Sequence, residues 1–186
     1  MGAQVKRTFR LLGVWVAVLM ACGCASRPAG QVANRPQQRL EHVAGIENFG
    51  FVSSEVWRGA RPTAQGYQTL RDMGVRTVID LELPGHAPLC PPELNPHCLS
   101  VSGWHADRVD TAALLALIRE SPKPIFIHCR QGRDRTGIAV AAYRVACGMP
   151  LADVIEELHR FGVNLWWAPL IEHRIHEMSG LMAAAK

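Results

Sequence analysis

One segment constrains the fold of this chain more than any other: an apolar run, a glycine-containing loop and an alanine-rich stretch in direct succession. Ile125 to His128 has the apolar character of a short buried strand, and residues 129–137 run Cys-Arg-Gln-Gly-Arg-Asp-Arg-Thr-Gly. The following residues, as far as Cys147, favour a helix that Gly148 ends. The segment therefore predicts a βα unit with Cys129 at the carboxyl end of its strand.

Strands and helices alternate through the rest of the chain. Strands are predicted at Val52 to Arg58, Val75 to Leu83 and Cys98 to Val101, and helices at Thr63 to Met73, Thr111 to Glu120, Pro150 to Gly162 and from about Pro169 onward. This order predicts an α/β fold with a central, largely parallel sheet flanked by helices. In such sheets the active site lies at the carboxyl ends of the strands.

The first 24 residues have the layout of a signal peptide. A basic start is followed by the apolar run Leu11 to Met20 and by small residues. Leu19-Met20-Ala21-Cys22 resembles a bacterial lipobox, which would make Cys22 the lipidated residue. Cys24, a plain signal peptide and an uncleaved anchor are the alternatives. The interpretation predicts an exported protein on the periplasmic side of the cell envelope, attached to the membrane by a lipid.

The remaining chain divides into a tether and one domain. Residues 25–39 are polar and without periodicity, which is typical of a tether. Residues 40–186 form the one predicted folded domain, and the 48% hydrophobic content is sufficient for a globular core. The net charge of +4 derives partly from the leader and tether, and no basic stretch alternates with aromatic residues. Nucleic acid is therefore not an expected partner.

The loop after Cys129 has the residue types that a phosphate monoester requires. A loop that opens a helix points N–H groups at an anion, and Gly132 allows the turn a positive φ. Arg135 can bind two phosphate oxygens at once. A helix N-terminus with nearby cations stabilises the thiolate of a cysteine, which attacks phosphorus. The Thr136 hydroxyl can donate to the sulfur, and His128 can help to hold the loop. The predicted substrate-binding residues are Arg130, Gln131, Gly132, Arg133 and Thr136.

The pattern His-Cys-x-x-Gly-x-x-Arg-Thr-Gly resembles the signature of the protein tyrosine phosphatase superfamily, in its dual-specificity branch. The stretch Val56 to Thr63 (VWRGARPT) is similar to the opening of bacterial and fungal members of that branch. The resemblance implies a cysteinyl-phosphate intermediate, with Cys129 as nucleophile and Arg135 as phosphate clamp. It also implies a general acid, no metal and no cofactor, and it places Arg58 near the loop.

Two aspartates compete for the role of general acid. Trp104-His105-Ala106-Asp107 resembles the Trp-Pro-Asp loop of the family, although it has one extra residue and lacks the proline. Asp107 can instead cap a helix, as Asp110 can. Asp134 lies in the cysteine loop, where some relatives with an Asp-Arg-Thr ending take their acid, but it can also be structural. Both candidates stay open.

The expected substrates are phosphorylated proteins, with phosphoinositides as the second class. Arg133-Asp134-Arg135-Thr136 resembles the Lys-Asp-Arg-Thr loops of bacterial phosphatases that accept phosphoinositides. A sulfurtransferase and a non-catalytic phosphate-binding module are the remaining alternatives.

Three further expectations concern residues outside the loop. Cys90 and Cys98 can form a disulfide, or bind a metal together with His97. Core packing is favoured over a place in the substrate cleft for Trp166 and Trp167. The acidic residues of the helix after Pro150, namely Asp153, Glu156 and Glu157, are expected on an exposed face.

Overall fold

The computed structural model describes residue 40 and residues 42–184 of the chain. Its strands are β1 (Gly50–Phe51), β2 (Val56–Ala60), β3 (Thr77–Asp80), β4 (Pro96–Cys98) and β5 (Ile125–Cys129). Its helices are α1 (Ala64–Asp72), α2 (Thr111–Glu120), α3 (Asp134–Ala146), α4 (Leu151–Arg160) and α5 (Ala168–Ala184). Short 3-10 helices lie at Pro92–Leu94 and Ala106–Arg108.

The predicted signal peptide, Cys22 and the tether lie outside the described residues, so these assignments stay predictions. Within the described part of the chain, no helix is both long and apolar enough to span a bilayer.

The strands form one sheet in the order β1-β2-β5-β3-β4. β1 runs antiparallel to β2, and the other neighbouring strands are parallel, which confirms the largely parallel sheet expected from the sequence. β5 lies in the centre, where Ala60 of β2 pairs with Cys129 and Asp80 of β3 pairs with His128. The carboxyl ends of three parallel strands therefore meet around the cysteine.

The strands are shorter than their apolar runs predict, because local hydrogen bonds end them. The Ser53 hydroxyl accepts from the Val56 amide at 3.0 Å, and this turn occupies the start of the predicted strand, so that β2 begins only at Val56. β1, at Gly50–Phe51, was not predicted. An Asp80 carboxylate oxygen accepts from the Glu82 amide at 2.8 Å, so β3 stops at Asp80. β4 lies slightly earlier than predicted, at residues 96–98.

The helices begin close to the predicted positions because their caps are encoded locally. Thr63 Oγ1 accepts from the Gly66 amide at 3.1 Å at the start of α1. Asp110 Oδ1 accepts from the Ala113 amide at 2.9 Å, which makes Asp110 the cap of α2. Asp107 instead lies in the preceding 3-10 helix and makes no cap.

The two faces of the sheet carry separate cores. Ile125, Ile127 and Cys129 of β5 pack into the core that contains residues of α2 to α5. Phe126 packs on the opposite face with residues of α1. Because side chains alternate along a strand, His128 points to the α1 side and Cys129 to the four-helix side.

Glu157 corrects one expectation about α4. The helix was predicted to expose its acidic residues, yet Glu157 is buried and accepts from the equally buried Arg144 of α3, with Nε and Oε2 2.9 Å apart. A charge at this position is tolerated because the arginine pairs with it. The ion pair ties α4 to the helix that begins in the cysteine loop.

Candidate active site

Cys129 ends the central strand and lies where α3 begins. The cysteine loop, residues 129–135, runs from the last residue of β5 into the first turn of α3. The thiol side chain is buried on the helical face of the sheet. Since α3 is a helix of 13 residues, its N-terminus supplies free N–H groups and a positive dipole end to the loop.

Gly132 is the residue that allows the loop to lie against β2. Its φ is +66°, which favours glycine. A Cβ on Gly132 would lie 2.5 Å from the carbonyl carbon of Gly59 and 2.6 Å from the amide nitrogen of Ala60. Backbone atoms of a central strand cannot yield to such a contact, so a side chain here would displace the loop.

Two side chains from outside the loop hold its backbone. The buried Arg58 donates from Nη2 to the Gly132 carbonyl at 2.8 Å, and its guanidinium lies over the Phe161 ring at 3.8 Å. Burial lowers the pKa of Arg58 to about 10, although the charges of Glu157 and Cys129 oppose the shift. Asn48 Nδ2 donates to the Gly132 and Phe161 carbonyls at 2.9 and 3.0 Å.

The expected position of Arg58 near the loop is thus observed, whereas Asn48 was missed. Asn48 adopts a left-handed conformation with φ of 52°. A lone asparagine carries no pattern in the sequence that points to residues more than eighty positions away. Its role emerges only from the fold.

A cleft of about 280 Å³ opens over the cysteine. Its lining consists of Gly103, Trp104, Cys129, Arg130, Gln131, Asp134, Arg135, Asn164 and Trp167. This volume is at the small end of ligand sites, which suits a phosphorylated group better than a large cofactor. The fold thus brings together most of the predicted site residues, whereas Gly132, Arg133, Thr136 and Asp107 lie outside this lining.

The guanidinium of Arg135 is held at one side of the cleft. Its Nη1 donates to the carbonyls of Val101 and Leu81 at 3.0 and 3.3 Å. Its Nη2 lies 3.7 Å from Oε2 of Glu82. These three contacts come from residues that precede Arg135 by 34 to 54 positions.

Glu82 is a buried acid that the sequence did not single out. It accepts two hydrogen bonds from Arg61, with both N–O distances 2.8 Å, and lies 3.7 Å from His86. Burial raises the pKa of Glu82, but the hydrogen bond and charge of Arg61 and the charge of Arg135 outweigh it, so the pKa is lowered. The carboxylate therefore stays ionised and holds both arginines. The only sequence signal was a glutamate inside an apolar run.

We expect Glu82→Gln to destabilise the fold by about 2 kcal/mol, because two cations lose a buried anionic partner. The loss of orientation at Arg135 is expected to lower kcat/KM by roughly tenfold. Since folding lowers this pKa, the stabilisation is present above its ordinary value of 4.5 and is lost as pH falls through the folded value. Chemical denaturation across pH, together with monoester hydrolysis, measures both effects.

The matched control is Glu93→Gln. Glu93 pairs with Arg71 at 2.6 Å, but both side chains are about half exposed. An exposed pair of this kind contributes less than about 1 kcal/mol. Equal losses of stability in the two variants would contradict the role given to Glu82.

The two candidate acids occupy different positions. Asp134 lines the cleft, and its Oδ1 accepts from the Asn164 amide at 2.7 Å. Asp107 is half-buried in the 3-10 helix that follows Trp104, and among the described residues its Oδ1 has no hydrogen-bond partner. Asp134 therefore lies in the same cleft as Cys129 but already accepts a hydrogen bond, whereas Asp107 lies outside the cleft lining. Both stay candidates.

His128 and Thr136 are fully buried beside the cysteine. Nδ1 of His128 lies 3.7 Å from Oδ1 of Asp80, and burial lowers the pKa of His128, which favours the neutral ring. Within the part of the chain that the structure describes, neither ring nitrogen nor the Thr136 hydroxyl has a hydrogen-bond partner.

Asp80, Glu82 and His128 place ligand atoms within 4.8 Å of one another, a spacing that could hold a metal ion. Both Glu82 oxygens already accept from Arg61, however, and Arg135 lies nearby. These cations make the cluster a poor fit for a metal.

Cys90, Cys98 and Trp166 differ from the sequence interpretation, whereas Trp167 agrees with it in part. Cys90 and Cys98 are both free thiols, so the structure contains no disulfide between them. Trp166 is exposed rather than packed in the core. Trp167 packs against the core, as expected, but it also lines the cleft and meets Trp104 edge to face, with ring centroids 6.3 Å apart. The pair forms one wall of the cleft because the loop before α5 turns back over α3.

Comparison with known proteins agrees with this site. Residues 99–164 match the model of the tyrosine phosphatase family. The chain is 32% identical over 167 residues to the dual specificity protein phosphatase TpbA of Pseudomonas aeruginosa strain UCBPP-PA14, covering 80% of this chain and 73% of the relative. It is 26% identical over 157 residues to the inositol diphosphatase DSP4 of Arabidopsis thaliana, covering 72% and 77% of the two chains.

Solved structures show the same relation. The crystal structure of P. aeruginosa TpbA superposes with a TM-score of 0.57 at 28% identity, over 79% of this chain and 96% of the other. The catalytic domain of the yeast PP-IP phosphatase SIW14 gives a TM-score of 0.57 at 21% identity, over 77% and 96%, and supports the fold. The chain therefore belongs to the dual-specificity tyrosine phosphatase-like family and is a phosphatase.

Proposed function

We propose that this phosphatase removes phosphate from phosphorylated proteins, phosphotyrosine among them, through a cysteinyl-phosphate intermediate. The observation that carries the proposal is the cleft itself, in which Cys129, Arg135 and Asp134 converge at the N-terminus of α3. Nucleophile, cation and carboxylic acid are the groups that transfer of a phosphoryl group to sulfur requires.

The proposed reaction has two steps. The Cys129 thiolate attacks phosphorus, the P–O bond to the substrate breaks, and a carboxylic acid gives its proton to the departing oxygen. Water then attacks phosphorus and gives a proton to the carboxylate, which becomes the acid again. The S–P bond breaks, the Cys129 thiolate re-forms, and inorganic phosphate leaves. Arg135 can bind two of the phosphate oxygens throughout, since its planar fork matches their spacing.

The walls of the cleft favour an aromatic phosphate ester. Trp104 and Trp167 stand beside the loop and offer ring faces and edges to a phenyl group. A solved structure of TpbA contains pTyr, and that protein superposes on this chain with a TM-score of 0.54 at 26% identity. Both observations support phosphotyrosine.

A second candidate class is inositol phosphates. Arg130 lines the cleft and also a neighbouring groove of about 850 Å³, so a bulky, multiply charged substrate has room beside the reacting phosphate. Several relatives are named inositol diphosphatases. Phosphate release from a phosphotyrosyl peptide and from inositol phosphates and lipids, compared by kcat/KM, tests the ranking. A higher kcat/KM for the inositol compounds would show that inositol phosphates, and not phosphorylated proteins, are the preferred substrates.

We expect Arg130→Ala to lower kcat/KM for inositol polyphosphates by roughly tenfold and for a small aryl phosphate by less than about threefold, because added charge on the substrate strengthens its interaction with this cation. Arg133→Ala should have a smaller effect on selectivity, since Arg133 does not line the cleft. Arg119→Ala removes the same charge from an exposed pair on α2 and serves as control. Equal losses on both substrates would show that Arg130 does not select among them.

A further inference from the structure

Large apolar side chains stand in solvent at the mouth of the cleft. Trp104 is 74% exposed, Leu165 77% and Trp166 90%. Trp104 lines the cleft directly, and the two others lie between Asn164 and Trp167, which also line it. We refer to Trp104, Leu165 and Trp166 as the apolar rim. Exposed apolar groups clustered beside an active site mark an interaction surface.

Basic side chains accompany the rim. Arg130 is exposed and shares the cleft lining with Trp104. The exposed Arg133 passes close to Gly162, since its Nε lies 3.7 Å from where a Cβ on that glycine would be. The acidic residue of the cleft lining, Asp134, accepts a hydrogen bond from the backbone amide of Asn164. Tryptophan and leucine beside arginine form the composition that favours a lipid–water interface with anionic headgroups.

The first described residues lie beside the cleft. The groove that shares Arg130 with the cleft is lined by His42 to Glu47, close to the start of the described residues. The 39 residues that precede residue 40 include the apolar run Leu11 to Met20. Residues 25–39, if extended, reach on the order of 50 Å at 3.3–3.6 Å per residue. An attachment through this segment leaves the cleft mouth within reach of the same membrane.

We propose that the apolar rim inserts into the interface of an anionic lipid bilayer and holds the cleft against the membrane surface. This goes beyond the proposed function, because it concerns where the enzyme acts. Tryptophan rings settle at the boundary between headgroups and acyl chains, and arginines bind the anionic headgroups. Phosphate groups close to the bilayer, on protein or lipid, then reach Cys129.

The test measures how deeply the rim tryptophans enter the bilayer. The protein used is the full chain with Trp15→Phe, which removes the tryptophan that precedes the described residues. It is mixed with vesicles of phosphatidylcholine and phosphatidylglycerol whose acyl chains are brominated. We expect a blue shift and quenching of tryptophan emission, both weaker on phosphatidylcholine alone. Leu165→Ala with Trp166→Ala in the same background should remove most of the quenching.

The control is Leu89→Ala, which removes a side chain that is 80% exposed on the loop between β3 and β4. It should leave the quenching unchanged. Circular dichroism checks that the variants fold, and the single substitution Trp166→Ala repeats the test with a smaller change.

Three results would overturn the proposal. The first is tryptophan emission that stays unquenched by the acyl-chain bromines even when the chain is bound to vesicles. The second is equal quenching of the parent and of the variant that carries both Leu165→Ala and Trp166→Ala, which we call the rim variant. The third is a lower kcat/KM of the rim variant on a soluble phosphotyrosyl peptide while its quenching by vesicles persists. That result would assign the rim to docking of substrate proteins.

Discussion

We expect Cys129→Ser to lower kcat for monoester hydrolysis by at least about three orders of magnitude. A serine hydroxyl remains protonated at neutral pH and is a far weaker nucleophile than a thiolate. Phosphate and vanadate should still bind, since the loop backbone and Arg135 are unchanged. Release of phosphate from an aryl phosphate measures turnover, and titration calorimetry measures binding.

Cys98→Ser is the matched control for this variant. Cys98 is an exposed free thiol at the end of β4, and its sulfur lies 3.3 Å from Ser100 Oγ, a contact that a serine can keep. Its activity should match that of the parent. Substantial turnover by Cys129→Ser would exclude the cysteinyl-phosphate mechanism, even though the fold and family would stand.

The second large effect concerns the proton for the departing oxygen. We expect Asp134→Asn to slow the hydrolysis of alkyl phosphates by about 10²- to 10⁴-fold while esters of acidic phenols are slowed far less. The reason is that a good leaving group departs without a proton. Asp134 is the carboxylate that lines the cleft, which favours it over Asp107.

Asp107→Asn is the comparison that decides between the two acids. If Asp134→Asn slows every ester by the same factor, Asp134 acts only by holding the Asn164 amide at 2.7 Å. The dependence on leaving group would then be found in Asp107→Asn, whose segment would have to bring the carboxylate into the cleft. Variation of the leaving group separates these outcomes because a structural defect affects all esters alike.

The sequence by itself determined the features whose causes are local. The alternation of strands and helices, the caps at Thr63 and Asp110, and the position of Cys129 between β5 and α3 all follow from residues a few positions apart. Such patterns depend on residue propensities, helix caps and turns, all of which involve residues close together in the sequence. The same locality explains why the cysteine loop could be recognised in the sequence, by its resemblance to the signature of the protein tyrosine phosphatase superfamily.

The tertiary structure decided which distant side chains complete the site. Asn48 meets Gly132 across 84 positions, and Glu82 meets Arg135 only because β3 and β5 are neighbours. Glu157 could not be recognised as buried until Arg144 was placed beside it. A polar residue is stabilised in the interior by a hydrogen-bonding or charged partner. Which residue becomes that partner depends on how helices and strands pack, and not on spacing in the sequence.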